Sequence, residues 1–199
     1  MKSNIIKLVL FVVVIILGYM VYHSINQPLD FKKEKKRRDV EVVQRLKDIR
    51  NVQNLYKNAK GKYTGSFDSL IQYINQGEIP VVNVIPDPND TTFTKTINDT
   101  LGFVKVVDTL FKHHRNFNVS EIGIIPHSGG IPFEMGAGEI DRGGVTVSVF
   151  EAKAPFRIYL AGMDKQRVDN LIASEEAIEK FPGLKVGSLT EPSTNGNWE

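Results

Sequence analysis

Cysteine is absent from this 199-residue chain. No disulfide, cysteine-based zinc site, thiol nucleophile or acylated-cysteine lipoprotein anchor is therefore open to it. A charge excess of either sign is also missing. The 25 Lys and Arg residues stand against 23 Asp and Glu, a net charge of +2, which argues against a dedicated nucleic-acid binder. No internal repeat is visible. Charge is lacking locally as well, because LVLFVVVIILGYMVY (residues 8–22) runs fifteen residues without a charged side chain.

That run is the strongest single signal. Residues 5–22 include only Lys7 as a charged residue, and a stretch of about 18 residues is near the lower limit for crossing a bilayer. The following YMVYHSINQP lacks the small-x-small pattern of signal-peptidase cleavage, so an uncleaved signal anchor is expected. Ile5, Leu8, Phe11, Ile15, Leu17 and Tyr22 would face lipid of the inner membrane. Six cations follow the span within KKEKKRR (residues 32–38) and two precede it, which by positive-inside counting favours a cytoplasmic head. The cluster starts ten residues beyond Tyr22, however, and long domains translocate despite such charge. The same cluster has two readings: attraction to anionic headgroups, at about 1 kcal/mol per basic residue, or a solvated helix face.

Apolar content of 41% and charged content of 24% fit a globular head beyond the anchor rather than a disordered tail. EVVQRLKDIRNVQNLYKNAKG spaces Val43, Leu46, Ile49, Val52, Leu55, Tyr56 and Ala59 at three- and four-residue steps, an apolar stripe on one helix. Gly61 is the expected C-cap and Pro28 a candidate kink. Ser66 then reads as an N-cap for a short helix carrying Phe67, Leu70, Ile71 and Ile74, closed by Gly77. Beyond Glu78 the texture is β-rich: IPVVNVIP, FVKVVDTLF, FNVSEIGIIP, IPFEMGAGEI, VTVSVFEAKA, FRIYLAG and LKVGSL read as strands of an antiparallel meander. Asp164 is expected to cap a helix running to Phe181 with Val168, Leu171, Ile172 and Ile178 on its apolar side. The expected organisation is an anchor at 1–28, an amphipathic helix and short helix at 29–77, and a β-rich head at 78–199 with a helix at 164–181.

A membrane helix leading into an amphipathic helix, then YKNAKGKYTGSFDSL (residues 56–70), a short helix and a sheet resembles the pilin-like superfamily. In particular it is similar to the major pseudopilins of type II secretion, with Thr64 where their motif has proline. The closing NWE also resembles their Asn/Ser-Trp-acidic end. The resemblance implies an anchor helix continuing into a long amphipathic helix packed on an antiparallel sheet; with the C-terminal helix read at 164–181, the expected class is α+β. It also implies a periplasmic head. A second resemblance, to a family of single-pass bacterial envelope proteins with IQRLKDIR-like and GKYTGSFDSL-like segments, supports the same layout and supplies no chemistry. The chain departs from prepilins in two respects. Its only glycine near the apolar segment is Gly18, inside it, and no carboxylate lies in the span. The expectation is therefore a pilin-shaped subunit that stays anchored rather than a filament subunit.

Within the motif, Tyr56 and Tyr63 are expected to pack their rings about the turn with their hydroxyls in water. Gly61 and Gly65 are expected to supply backbone angles denied to other residues. Phe67 and Leu70 complete the motif, and its role is read as folding and protein contact.

Candidate chemistry is thin. His113-His114-Arg115 reads as a solvated loop rather than a metal site. HSGG (residues 127–130) pairs a serine with a histidine but lacks a nucleophile elbow and suits a turn. Asp87, Asn89 and Asp90 alternate oxygen ligands without the glycine and terminal glutamate of an EF-hand, and the C-terminal loop offers only Glu191 before Trp198. Asp-Ser/Thr motifs at Ser69, Thr91, Thr100 and Thr109 are similar to the acceptor pattern of a periplasmic O-glycosylation system, with Thr91 and Thr100 favoured. No catalytic, cofactor-binding or metal-binding residues are assigned.

The expected protein is a non-enzymatic, single-pass component of the bacterial inner membrane, acting through protein partners in a secretion or surface apparatus. The alternative is a tethered module that binds a glycan, peptide or lipid, with no nucleic-acid partner in either case.

Overall fold

The computed structural model describes residues 2–86, 96–110 and 118–199. It is an α+β protein led by one helix of 59 residues, α1 (Lys2–Lys60). Every described side chain from 6 to 22 is exposed, so the apolar segment forms a bare cylinder long and apolar enough to cross a membrane. The helix continues through Pro28, which has no N–H to offer the carbonyl of Ser24. Beyond it, a ladder of i,i+4 pairs supports the backbone: Glu34 with Arg38, Lys35 with Asp39, and Arg37 with Glu41.

The head packs on the second half of α1. Val42, Leu46, Ile49 and Val52 are fully buried. This stripe begins one residue earlier than the expected Val43, which is half-buried, and Ala59 is exposed because the head does not reach the last turn. The helix ends at Gly61, whose φ of 80° is the left-handed cap and whose N–H bonds Lys57 O at 2.7 Å.

Helix α2 (Phe67–Gln76) starts at Ser66, whose hydroxyl accepts from Ser69 N, and buries Leu70 and Ile74. It ends where the Gly77 N–H meets Tyr73 O at 2.7 Å. Strands β1 (Glu78–Pro86) and β2 (Thr96–Lys105) then form a two-stranded antiparallel ribbon with a bulge at Val81/Val82. The base of the ribbon is closed by the bond from Val106 N to Gly77 O, 3.0 Å.

A separate three-stranded antiparallel sheet, ordered β3-β4-β5, is built from β3 (Glu134–Arg142), β4 (Val145–Pro155) and β5 (Gly183–Gly187). Gly143 and Gly144, both at positive φ, make the two-residue turn between β3 and β4, and Asp141 Oδ1 accepts from Gly144 N. The central strand carries Phe150, Ala152 and Ala154 into the core it shares with α1 and α2.

The expected single meander is thus two sheets, and three of its strands are helical. FVKVVDTLF finishes β2 and turns into α3 (Val106–Leu110). FNVSEIGIIP holds a 3-10 turn at Val119–Glu121, capped by Asn118. FRIYLAG contains α4 (Phe156–Tyr159). The clearest case is the last, where the two side chains that go inside, Phe156 and Tyr159, are three residues apart. A strand would send residues three apart to opposite faces, and a helical turn puts them on one. Helix α5 (Lys165–Glu176), capped by Asp164, stops short of Phe181, and Ile178 lies outside it and exposed.

Candidate functional site

Two places on α1 concentrate polar contacts: the junction where it gives way to α2, and the charged collar where the apolar segment meets the head.

At the junction, Gln53 is a fully buried amide. Its Nε2 donates to Thr64 O at 2.6 Å, and its Oε1 accepts from Thr64 N at 3.2 Å. Tyr63, next in line, is 9% exposed, so its hydroxyl does not sit in water as expected; it donates to Asn54 Oδ1 at 3.2 Å. Its ring packs on Phe150 at 4.7 Å and under the Lys57 ammonium at 4.7 Å. Its N–H donates to Ser148 Oγ, tying the turn to β4. Tyr56 packs edge-on against Tyr73 at 5.4 Å, and Tyr73 OH reaches back to Leu55 O. Burial raises the Tyr73 hydroxyl pKa.

The two motif glycines have different roles. Gly61 needs its positive φ. Gly65 does not; a Cβ there would stand 3.3 Å from Ala137 N, so its use is close approach to β3 rather than an unusual angle. Phe67 lies against Gly123, where a Cβ would approach the ring to 2.8 Å, and Leu70 is fully buried. A cleft of about 500 Å³ opens beside this junction, lined by Tyr56, Lys60, Gln72, Tyr73, Gln76 and Glu78 among others.

At the collar, the KKEKKRR cluster is divided between two jobs. Arg38 donates to the carbonyls of Tyr159 and Ala161, at 2.9 and 3.0 Å, and binds Glu34. Asp39 accepts from Lys35 and from the Tyr159 hydroxyl, at 2.6 and 2.7 Å. Burial, with the Asp39 charge beside it, pushes the Tyr159 hydroxyl far above its usual pKa. Arg37 and Arg38 together hold the Glu34 carboxyl down to about 2. Lys32, Lys33 and Lys36 remain exposed and have no ion pair among the described residues. The clamp of Arg38 and Asp39 on α4 and the residues after it had no signal in the sequence, since its partners are two backbone carbonyls and a tyrosine hydroxyl more than a hundred residues away.

The remaining sequence candidates disperse. Ile5 and Leu8 lie in α1, and Phe11, Ile15, Leu17 and Tyr22 are exposed along it. Thr100 is exposed on β2; Thr91, Asp87, Asn89, Asp90, His113, His114 and Arg115 lie outside the described residues. His127 Nε2 stands 2.9 Å from Glu41, while Ser128 Oγ exchanges bonds with the Ile131 backbone, so the two do not pair with each other. Among the described residues no group of three or more His, Asp and Glu side chains gathers as a metal site requires. Glu191 is exposed in the C-terminal segment.

These features define a class: an α+β head built on a helix whose first third is long and apolar enough to span a bilayer. No protein-family model, curated protein or solved structure matches the chain.

Proposed function

We propose that this chain is a non-enzymatic, membrane-anchored envelope protein with its head in the periplasm. In this reading it acts by protein contact as an assembly component of a secretion or surface apparatus. Residues 5–22 anchor it in the inner membrane, and the pilin-like motif at 56–70 turns the chain from the anchor helix into the head.

The observation that carries the reading is the β1–β2 ribbon. It pairs with no third strand among the described residues, and it displays Val81, Leu101, Phe103 and Val104, with Leu101 and Phe103 at 67% and 65% exposure. Unpaired strand edges and large exposed apolar side chains are features of a surface that another chain covers. The ribbon leaves the body next to Tyr73, which packs on Tyr56. That point is about 50 Å along α1 from Tyr22, at about 1.5 Å per residue, well clear of the lipid.

A photo-crosslinker at residue 103 in intact membranes should recover one defined protein, and Phe103→Asp should abolish its recovery. Recovery of monomer alone would refute the assembly reading. Proteolysis of spheroplasts tests orientation: a protected head contradicts the periplasmic assignment.

The cleft beside Tyr56 and Tyr73 favours a second reading, a tethered binding module, because aromatic faces with nearby amides are suited to glycans. Envelope glycan fragments should then raise the melting temperature, and Tyr56→Ala should cancel that rise. No rise with any fragment ends this reading.

A further inference from the structure

A second depression lies between α1 and α5, just beyond the apolar segment. It encloses about 310 Å³; Pro28, Phe31 and Leu171 give it an apolar floor, and Lys32, Lys35 and Arg167 rim it. Its height relative to a membrane follows from α1. A hydrocarbon core of about 30 Å takes about 20 residues of helix, so a span starting at Ile5 reaches the headgroups near Ser24. The headgroup layer adds about 5 to 8 Å, which takes in the next turn and Pro28, and Phe31 stands about 10 Å beyond Ser24, just outside it. Lysine and arginine side chains are long enough to reach back from there.

We propose that this depression seats an anionic membrane phospholipid. The phosphate is held by Lys32 and Arg167, which reach back towards the bilayer, and the glycerol and first acyl carbons rest on Pro28 and the membrane-side edge of Phe31. The proposal depends on α1 being a membrane helix.

The charges around the depression support this division of roles. Lys35 is already committed, to Asp39 at 2.6 Å and over the Phe156 ring at 5.1 Å. Lys32 is exposed and without an ion pair among the described residues. Arg167 has Asp164 3.7 Å from its Nε, within ion-pair range but too far for a hydrogen bond, so its guanidinium N–H groups remain available. Asp30 and Asp164 line the adjoining depression of about 280 Å³, which Arg167 shares, so the phosphate belongs on the Lys32 side. A guanidinium and an ammonium above apolar carbon match a lipid, which presents phosphate and hydrocarbon together. A free anion would use the cations and leave the floor uncovered.

The test uses the full chain in nanodiscs of phosphatidylglycerol and phosphatidylcholine, with the lipid retained after mild detergent extraction counted by native mass spectrometry. Wild type should retain phosphatidylglycerol over phosphatidylcholine. The pair Lys32→Gln with Arg167→Gln should lower that retention on the order of thirtyfold. The control pair Lys60→Gln with Lys62→Gln, at the far end of α1, should leave it unchanged. Both target side chains reach solvent, and near-ultraviolet circular dichroism verifies that the variant heads are folded. Equal retention of the two lipids, or retention unaltered by the target pair, overturns the proposal. Displacement of the lipid by glycerol phosphate at matched concentration also overturns it, by showing a free-anion site. A wild-type chain released from membranes by carbonate would instead refute the anchor itself.

Discussion

The side-chain amide of Gln53 pairs with the backbone of Thr64 in both directions, its Nε2 donating to the carbonyl and its Oε1 accepting from the N–H. A single side chain thus acts as a strand would, satisfying a turn that has no strand neighbour. It does so from the buried stripe of α1, so the turn's position is fixed relative to the helix it leaves. The Gln53 Nε2 also lies 3.3 Å from Met135 Sδ, joining β3 to the same point.

Replacing Gln53 with Ala removes both bonds and leaves the Thr64 peptide groups without partners in a half-buried place. The expected loss is about 3 kcal/mol. It should appear as a lower urea midpoint with an unchanged slope, because the folded and unfolded surfaces barely change. A loss below about 1 kcal/mol would mean that water replaces the amide without cost.

The two glycines of the junction should respond differently to substitution. Gly61→Ala forces a Cβ into the left-handed region and should cost about 1 kcal/mol, while Gly61→Asn should cost less because Asn tolerates that region. Gly65→Ala meets no such backbone strain; its Cβ presses on Ala137 N at 3.3 Å, and Asn there should be worse than Ala because it is larger. The order of Ala and Asn thus reverses between the two sites. The same order at both, in thermal melts of the four variants, would contradict the separate roles.

That difference shows what could be read from the chain. Gly61 follows a periodic run and precedes a polar turn, so its role as cap is a local matter. Gly65 looks alike in sequence, but the atom it must avoid belongs to residue 137. The same holds for the elements. The apolar segment, the stripe, α2 and its Ser66 cap, and β3, β4 and β5 follow from patterns within a few residues. The segments at 106–110 and 156–159 carry apolar and β-branched residues that suit strands, and the helical turn at 156–159 is decided by Phe156 and Tyr159 both going inside. Gln53 reads as part of the polar face. Only the Thr64 backbone, brought to it by the turn, makes its burial tolerable.

Acid should weaken the collar only as pH falls below the ordinary carboxylate range. The Glu34 pKa is depressed to about 2, first by the Arg37 hydrogen bond and then by that of Arg38. A carboxyl depressed in the folded state contributes stability above its unfolded pKa, near 4.5. That contribution is lost as pH falls from there towards 2. Carbon-detected NMR of the Glu34 carboxyl should show the low midpoint, and Arg37→Gln should raise it. A midpoint in the usual carboxylate range in the wild-type chain would show that the pairs do not persist in solution.

The C-terminal segment is latched to the sheet more by an amide than by charge, and the two contributions can be separated. Asn197 accepts from Lys185 N and donates to Gly183 O, at 3.0 and 2.9 Å, while Glu199 pairs with Arg50 at 2.7 Å. The first pair of bonds goes to backbone groups in the first half of β5. The second joins side chains that both reach solvent, where an ion pair is worth at most about 1 kcal/mol. Asn197→Ala should therefore cost about 1 to 2 kcal/mol and Arg50→Gln less. Trp198 is the only tryptophan and stacks its ring over Gly196, so its fluorescence reports the latch directly. Asn197→Ala should shift the emission to the red as the ring enters water, and added salt should shift it little in the wild-type chain. A salt-driven red shift matching that of Asn197→Ala would make the ion pair the latch and reverse the assignment.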